Sequence, residues 1–232
     1  MNTKRRFGHC CPVIDMGRIR YTEQERIRIT AAFLNCTREI IDAEGIGGVT
    51  IRKVAQCAGF NSATLYLYFK DIDELVTLTC IGYLEDYFRS LSDNLPHSSD
   101  PRQRYRNAWT VFGKLAFAHP EIFLHLFFKP HSLPMSQTLA RYNHLTSSHP
   151  SYSGVPNLLL DGDLQDWNLH LMRPLADQIG LTDSEVRITN DLMLCYFKKM
   201  LEELTAEEGA PEPDTQMARM HALGTFLLPV RN

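Results

Sequence analysis

Apolar residues recur at helical spacing along most of the chain, and no stretch shows the sustained alternation that marks a strand. The first clear helix begins at Thr22, where Thr22 and Glu25 form a capping box. Ile29, Phe33, Cys36, Ile40 and Ile41 then trace one face to about residue 44, and Gly45, Gly47 and Gly48 allow a tight turn. Thr50 caps a short second helix that reaches residue 58 and places Ile51, Val54 and Ala55 on one side; Gly59 closes it. Asn61 caps a third helix, expected over 62–69, with Leu65 and Phe69 as its core face. Asp71, with Glu74 three residues on, caps a fourth that runs to about residue 91 through Leu75, Leu78, Ile81, Leu84 and Phe88.

The helical pattern continues. Pro101 opens a helix to about residue 118, His119-Pro120 breaks it, and 121–129 is a short apolar helix. Residues 135–145 read as a further helix, 147–156 as a loop rich in Ser, Pro and Gly, and the second half of 157–179 as helix. Thr182 and Glu185 cap a long helix to about residue 207; 209–213 is a linker, and 214–228 is the last helix. The fold class is therefore all-α, with no internal repeat.

Two short helices joined by a tight turn behind a longer one make a helix-turn-helix. The apolar faces of the second and third helices must pack on the first through Phe33, Ile40 and Ile41. Ser62, Thr64, Tyr66, Leu67 and Tyr68 are left exposed on the third. Short hydroxyls at a helix start can approach base edges, and tyrosine hydroxyls can reach phosphate.

Charge supports this division. Of 24 basic and 27 acidic residues, eleven and six lie in residues 1–70, a balance of +5, leaving −8 for the rest. Hydrophobic residues make up 44% and charged residues 22%, as in soluble globular proteins. No apolar run spans a bilayer and no signal peptide is present, so a cytoplasmic protein with reduced thiols is expected.

The run from Ile51 to Asp71, above all Thr64-Leu65-Tyr66-x-Tyr68-Phe69-Lys70 before Glu74-Leu75, resembles the DNA-binding domain of the TetR family of repressors. The resemblance is close over roughly residues 24–80. It implies a basic tail (1–21), a helix-turn-helix domain (22–70) and a helical effector-binding and dimerisation domain (71–232). It also implies a homodimer that reads a near-palindromic double-stranded operator. Thr50 would touch the backbone and Arg52 a base or phosphate. Ser62, Ala63 and Thr64 would approach bases, with Leu67 against a thymine methyl or sugar, while Tyr66, Tyr68 and Lys70 would contact phosphates. The family commonly has a lysine where this chain has Ile72. One phosphate anchor is therefore missing, and the tail residues Lys4, Arg5, Arg6, Arg18 and Arg20 are candidates to replace it.

In the second domain the resemblance turns some aromatics into the wall of an effector pocket: Trp109, Phe112, His119, Phe123, Phe127, Trp167 and His170. The plain alternative makes them core. The last two long helices are expected to form the dimer's four-helix bundle. The apolar face of the first of them is Ile188, Leu192, Cys195, Phe197 and Leu201, and interface residues are expected to be Ile188, Leu192, Cys195, Leu201, Met217, Met220 and Leu223. Of the six cysteines, Cys36, Cys57 and Cys80 read as small buried hydrophobes, and His9-Cys10-Cys11 is an incomplete metal set. No cofactor or metal and no catalytic constellation is expected. The function expected is a repressor released from its operator by a small, mostly apolar effector. A DNA-binding regulator that answers to a protein partner or to cysteine redox state stays open beside it.

Overall fold

The computed structural model describes residues 22–91, 98–146, 164–206 and 209–229, and among them it contains ten α-helices, one 3-10 turn and no strand. The basic tail, the loop at 147–156, residue 207 and the side chain of Phe88 lie outside the described residues. Helix α1 (Glu23–Glu44) starts at the Thr22–Glu25 capping box, with both reciprocal bonds formed. A 3-10 turn (Ile46–Gly48) leads to α2 (Ile51–Cys57), capped by Thr50, whose hydroxyl accepts the Lys53 N–H at 3.3 Å. After α2, Gly59 takes φ +76°. Its N–H reaches the Gln56 carbonyl, and the next N–H, of Phe60, returns to Ala55 at 2.9 Å. This αL closure requires a residue with no Cβ penalty.

Helix α3 (Ser62–Leu65) is half the expected length. Beyond Leu65 the chain tightens, with Leu67 N–H bonding Thr64 and Tyr68 N–H bonding Leu65, both at 3.0 Å. In such i→i+3 geometry, residues three apart share a face. Tyr68, three residues after Leu65, lies beneath it in the core, where it is buried, and not on the outer face where it was expected. Helix α4 (Ile72–Leu91) follows. Its cap is half a box: Glu74 N–H bonds Asp71 Oδ1 at 2.9 Å, but the Glu74 carboxylate accepts from Lys70 N–H at 2.6 Å rather than from the cap residue.

The remaining helices are α5 (Pro101–Ala118), α6 (Pro120–Phe128), α7 (Met135–Thr146), α8 (Leu164–Ile179), α9 (Asp183–Leu204) and α10 (Pro213–Leu227). Helix α9 stops three residues short of the expected end, at Thr205, whose N–H returns to Leu201. Helix α10 packs on α5, α9 packs on α6 and α8, and α4 packs on α1, α6 and α7. No single helix among the described residues is long and apolar enough to cross a membrane; α5 and α6 approach that length only together, and they bend by 109° at His119-Pro120.

Two cores result. The smaller gathers Ile29, Phe33, Val54, Leu65, Tyr68, Phe69, Leu75 and Leu78 around Phe33, whose ring meets Phe60, Tyr68 and Phe69 at 5.3–6.2 Å. The larger fills the space between α4 and α10, and Ile72 touches both. The position where a phosphate-binding lysine was expected is thus half-buried and joins the two cores. Cys36 and Cys57, expected as reduced hydrophobes, are joined in a disulfide with a Cα–Cα separation of 5.8 Å, and Cys57 is exposed. The crossing of α1 and α2 brings their sulfurs together. Cys80 is fully buried, and burial pushes its thiol pKa up.

Gly45 takes φ +73° and ψ 176°, and a Cβ there would lie 2.7 Å from the Glu121 carboxylate, which accepts the Ile46 N–H at 2.8 Å. Substituting Gly45→Ala combines strained backbone with displacement of this bond. It is expected to cost about 2–3 kcal/mol, measured as a lower urea midpoint at unchanged slope.

Candidate nucleic-acid interface

The residues expected to read DNA converge on one surface formed by α2, α3 and the turn after α3. Thr50, Arg52, Ser62, Ala63 and Lys70 are exposed, as are Tyr66 at 55% and Leu67 at 68%. Thr64 is partly covered because both its N–H and its hydroxyl bond the Asn61 side chain, at 2.9 and 3.0 Å. Its oxygen remains an acceptor. Tyr68 is the exception, with its ring held in the core and Arg26 over its face at 5.9 Å. Leu67 and Tyr66 together make an apolar and aromatic ridge at the tip, an unusual thing to leave in water without a partner surface.

This surface is wired to the rest of the protein by polar contacts that sequence reading missed. Arg141 on α7 donates to the Tyr68 carbonyl and pairs with Glu74, whose side chain has no solvent exposure. Ser132, between α6 and α7, donates its N–H to Asp73 at 2.7 Å and its hydroxyl to Asp71 at 2.9 Å, while Lys70 donates to the Ser132 carbonyl. Lys70, expected on a phosphate, therefore already spends one N–H on this loop. Tyr83 donates its hydroxyl proton to Asp42 and lies 3.3 Å from the Arg38 carbonyl, which ties α4 to α1. No sequence spacing announces these pairs, which join positions 41–73 residues apart.

Four of the expected pocket residues pack on one another. Trp109, Phe112, Phe123 and Trp167 are buried against one another and Phe197, with ring centres 4.8–5.6 Å apart. Phe127 packs on their edge; His119 and His170 are exposed and apart from them. A cleft of about 220 Å³ lies beside this cluster, between α5 and α10, with Trp109, Leu175, Met193 and Met220 on its apolar side and Arg102, Arg106 and His221 on its polar side. His221 bonds Thr110 at 2.9 Å; partial burial, aided by Arg106, lowers its pKa. Of the expected pocket residues, only Trp109 lines this cleft.

The expected dimer residues divide. Ile188, Leu192 and Cys195 are exposed along one side of α9, and Leu223 is half-exposed on α10. Leu201, Met217 and Met220 are buried within the protomer, as is Phe197. Residues 195 and 197 lie some 200° apart around a helix, so what reads as one apolar face is two opposite faces. Phe226, at 80% exposure, belongs to the outer set and was missed.

The sequence model of bacterial regulatory proteins of the tetR family matches residues 33–78. No curated protein sequence matches the chain. Among solved structures, a TetR-like transcriptional regulator from Rhodococcus sp. RHA1 is 16% identical, with 91% of this chain and 100% of that one covered at a TM-score of 0.51. Thermus thermophilus FadR, a TetR-family repressor solved with lauroyl-CoA, is 14% identical over 89% and 96% at 0.53. The fatty acid degradation regulator FadR from Bacillus halodurans is 12% identical over 92% and 100% at 0.51. The chain thus carries a segment at 33–78 that matches the tetR-family regulatory proteins, and over most of its length it has the helical fold of these solved regulators.

Proposed function

We propose that the protein is a homodimeric repressor that leaves a near-palindromic operator when an amphipathic effector binds. The observation that carries the reading is the Arg141 contact. One guanidinium holds both the carbonyl of Tyr68, on the DNA-facing turn, and the buried Glu74 of α4. Any shift of α7 against α4 is thereby felt at the reading surface. Two protomers joined along Ile188, Leu192, Cys195, Leu223 and Phe226 set the recognition helices roughly one DNA turn, about 34 Å, apart or somewhat more. Effector binding that tilts α4 changes this separation, and DNA and effector then weaken each other's binding by the same factor.

The cleft between α5 and α10 is the effector site we favour. Its apolar floor and arginine-bearing rim suit a ligand with a hydrocarbon part and an anionic head, and the lauroyl-CoA complex of the Thermus thermophilus relative supports that class. At about 220 Å³ it is smaller than a typical ligand pocket of roughly 300–1,000 Å³, so binding must open it.

Selection of bound DNA from a random pool supplies the operator. In a gel shift on that operator, Arg52→Ala and Tyr66→Ala are each expected to weaken binding about tenfold or more, or roughly 1.4 kcal/mol. Unchanged binding in both variants sinks the site assignment. Lauroyl-CoA is the first effector probe; equal operator affinity with and without it, at saturation, removes it as an effector.

A second reading, control by cysteine redox state, is favoured by the disulfide between α1 and α2. It requires operator affinity to change on reduction in the wild type and not in Cys57→Ser.

A further inference from the structure

We propose that Asp73, His125 and His131 form a binding site for a divalent transition-metal ion of the zinc class, built between the first turn of α4 and the end of α6. One ligand atom from each residue lies within 4.8 Å of the other two. The closer pairs are His125 Nε2 to Asp73 Oδ1 at 3.9 Å and His131 Nδ1 to Asp73 Oδ2 at 3.8 Å. Zinc bonds of roughly 2.0–2.2 Å in tetrahedral geometry hold ligand atoms about 3.4 Å apart; the two pairs use different oxygens of one carboxylate, so seating an ion on one oxygen requires side-chain shifts of up to about 1.4 Å. The side chains of His125 and His131 are 7% and 11% exposed and that of Asp73 is 29% exposed, which leaves an open side for a water as fourth ligand.

His131 Nε2 lies 3.1 Å from the Leu126 carbonyl, which only accepts, so that nitrogen carries a hydrogen and Nδ1 is the atom left facing Asp73. The single hydroxyl proton of Thr77 goes to the Asp73 backbone carbonyl at 2.8 Å. Thr77 Oγ1 therefore has no proton for the two histidine nitrogens beside it, His125 Nε2 at 3.0 Å and His131 Nδ1 at 3.2 Å, and can only accept from them; metal binding would displace the protons held there.

The outer shell has the form that orients metal-bound histidines. His131 donates its far nitrogen to a backbone carbonyl, and Asp73 is held by the Ser132 N–H at 2.7 Å. His125 offers Nε2, 3.0 Å from Thr77 Oγ1, once a metal ion displaces the hydrogen from that nitrogen to Nδ1. Two imidazoles and one carboxylate favour zinc-class ions over calcium or magnesium, which take oxygen ligands. Sequence reading found no metal because Asp73 is far from the histidines, which lack a known ligand spacing.

The metal site stands independently of the repressor reading; only its effect on operator binding rests on that reading. The test titrates full-length protein with Co²⁺ as a spectroscopic probe. The expected result is one equivalent bound with the d–d absorption of low-coordinate cobalt, no thiolate charge-transfer band, and displacement by Zn²⁺. His131→Ala is expected to weaken binding at least tenfold. Asp73→Asn, which keeps an acceptor for the Ser132 N–H, is expected to do the same and covers the case in which His131→Ala does not fold. Added Zn²⁺ should raise the melting temperature of the wild type but not of Asp73→Asn. Absence of cobalt absorption, thiolate bands at the same affinity, or undiminished binding in both variants overturns the site. If operator binding persists while metal binding fails, the site alone falls; if the wild type binds cobalt but no operator, the repressor reading falls instead.

Discussion

Substituting Phe197→Ala is expected to destabilise the protein by about 3–5 kcal/mol, the range for removing a fully buried aromatic ring. Phe197 has no solvent exposure, and its ring lies 5.3–6.2 Å from those of Trp109, Phe112, Phe117 and Phe128. Tilted and edge-on contacts of this kind contribute about 0.5–1.5 kcal/mol each beyond burial. The neighbours are themselves large and held by one another, so they cannot collapse into the space. For a chain of this size the melting temperature should fall by roughly 6–20 °C. The measurement also decides between the two roles considered for these aromatics. A loss under about 1 kcal/mol would mean that the rings line an adaptable pocket; a loss in the expected range means that they are the core.

Substituting Arg141→Ala is expected to lower stability by about 2–3 kcal/mol and to weaken operator binding in addition. Glu74 is left as a buried carboxylate without its cation, a change that costs about 3–5 kcal/mol when both partners are fully buried. Arg141 is 36% exposed, and Glu74 keeps the Lys70 N–H, so the lower figure applies. The Tyr68 carbonyl also loses its donor, which loosens the turn that presents Tyr66 and Leu67. Adding Glu74→Gln to Arg141→Ala removes the stranded charge and should restore part of the stability. It should not restore operator binding, because the Tyr68 carbonyl remains unheld. Urea denaturation and a gel shift on the same proteins separate the two effects; recovery of both together would show that the coupling to Tyr68 is unimportant.

The elements themselves were legible because their signals are local. The Thr22 and Thr182 boxes, the Thr50 and Asn61 caps, Gly59 and the His119-Pro120 break all act within a few residues, and each is found where the sequence puts it. The exposed set was legible for the same reason: Arg52, Ser62, Tyr66 and Leu67 are exposed because Val54, Ala55 and Leu65 face inward. Tyr68 was misplaced: three residues after Leu65 it falls on the core side, which the spacing itself implies.

The sequence by itself thus determined an all-α chain with a helix-turn-helix near its start, since capping, periodicity and glycine turns are properties of neighbours along the chain. Tertiary structure alone decided which apolar residues became core and which stayed outside. Leu201 and Ile188 look alike in a helical pattern, yet one is sealed and the other open, because packing depends on what the other helices bring. It also decided the contacts that give the fold its chemistry: Arg141 on Glu74 and Tyr68, Cys36 on Cys57, and Asp73 beside His125 and His131. Their partners are 21 to 73 residues apart, a separation at which no local pattern survives and only the crossing of helices brings side chains together.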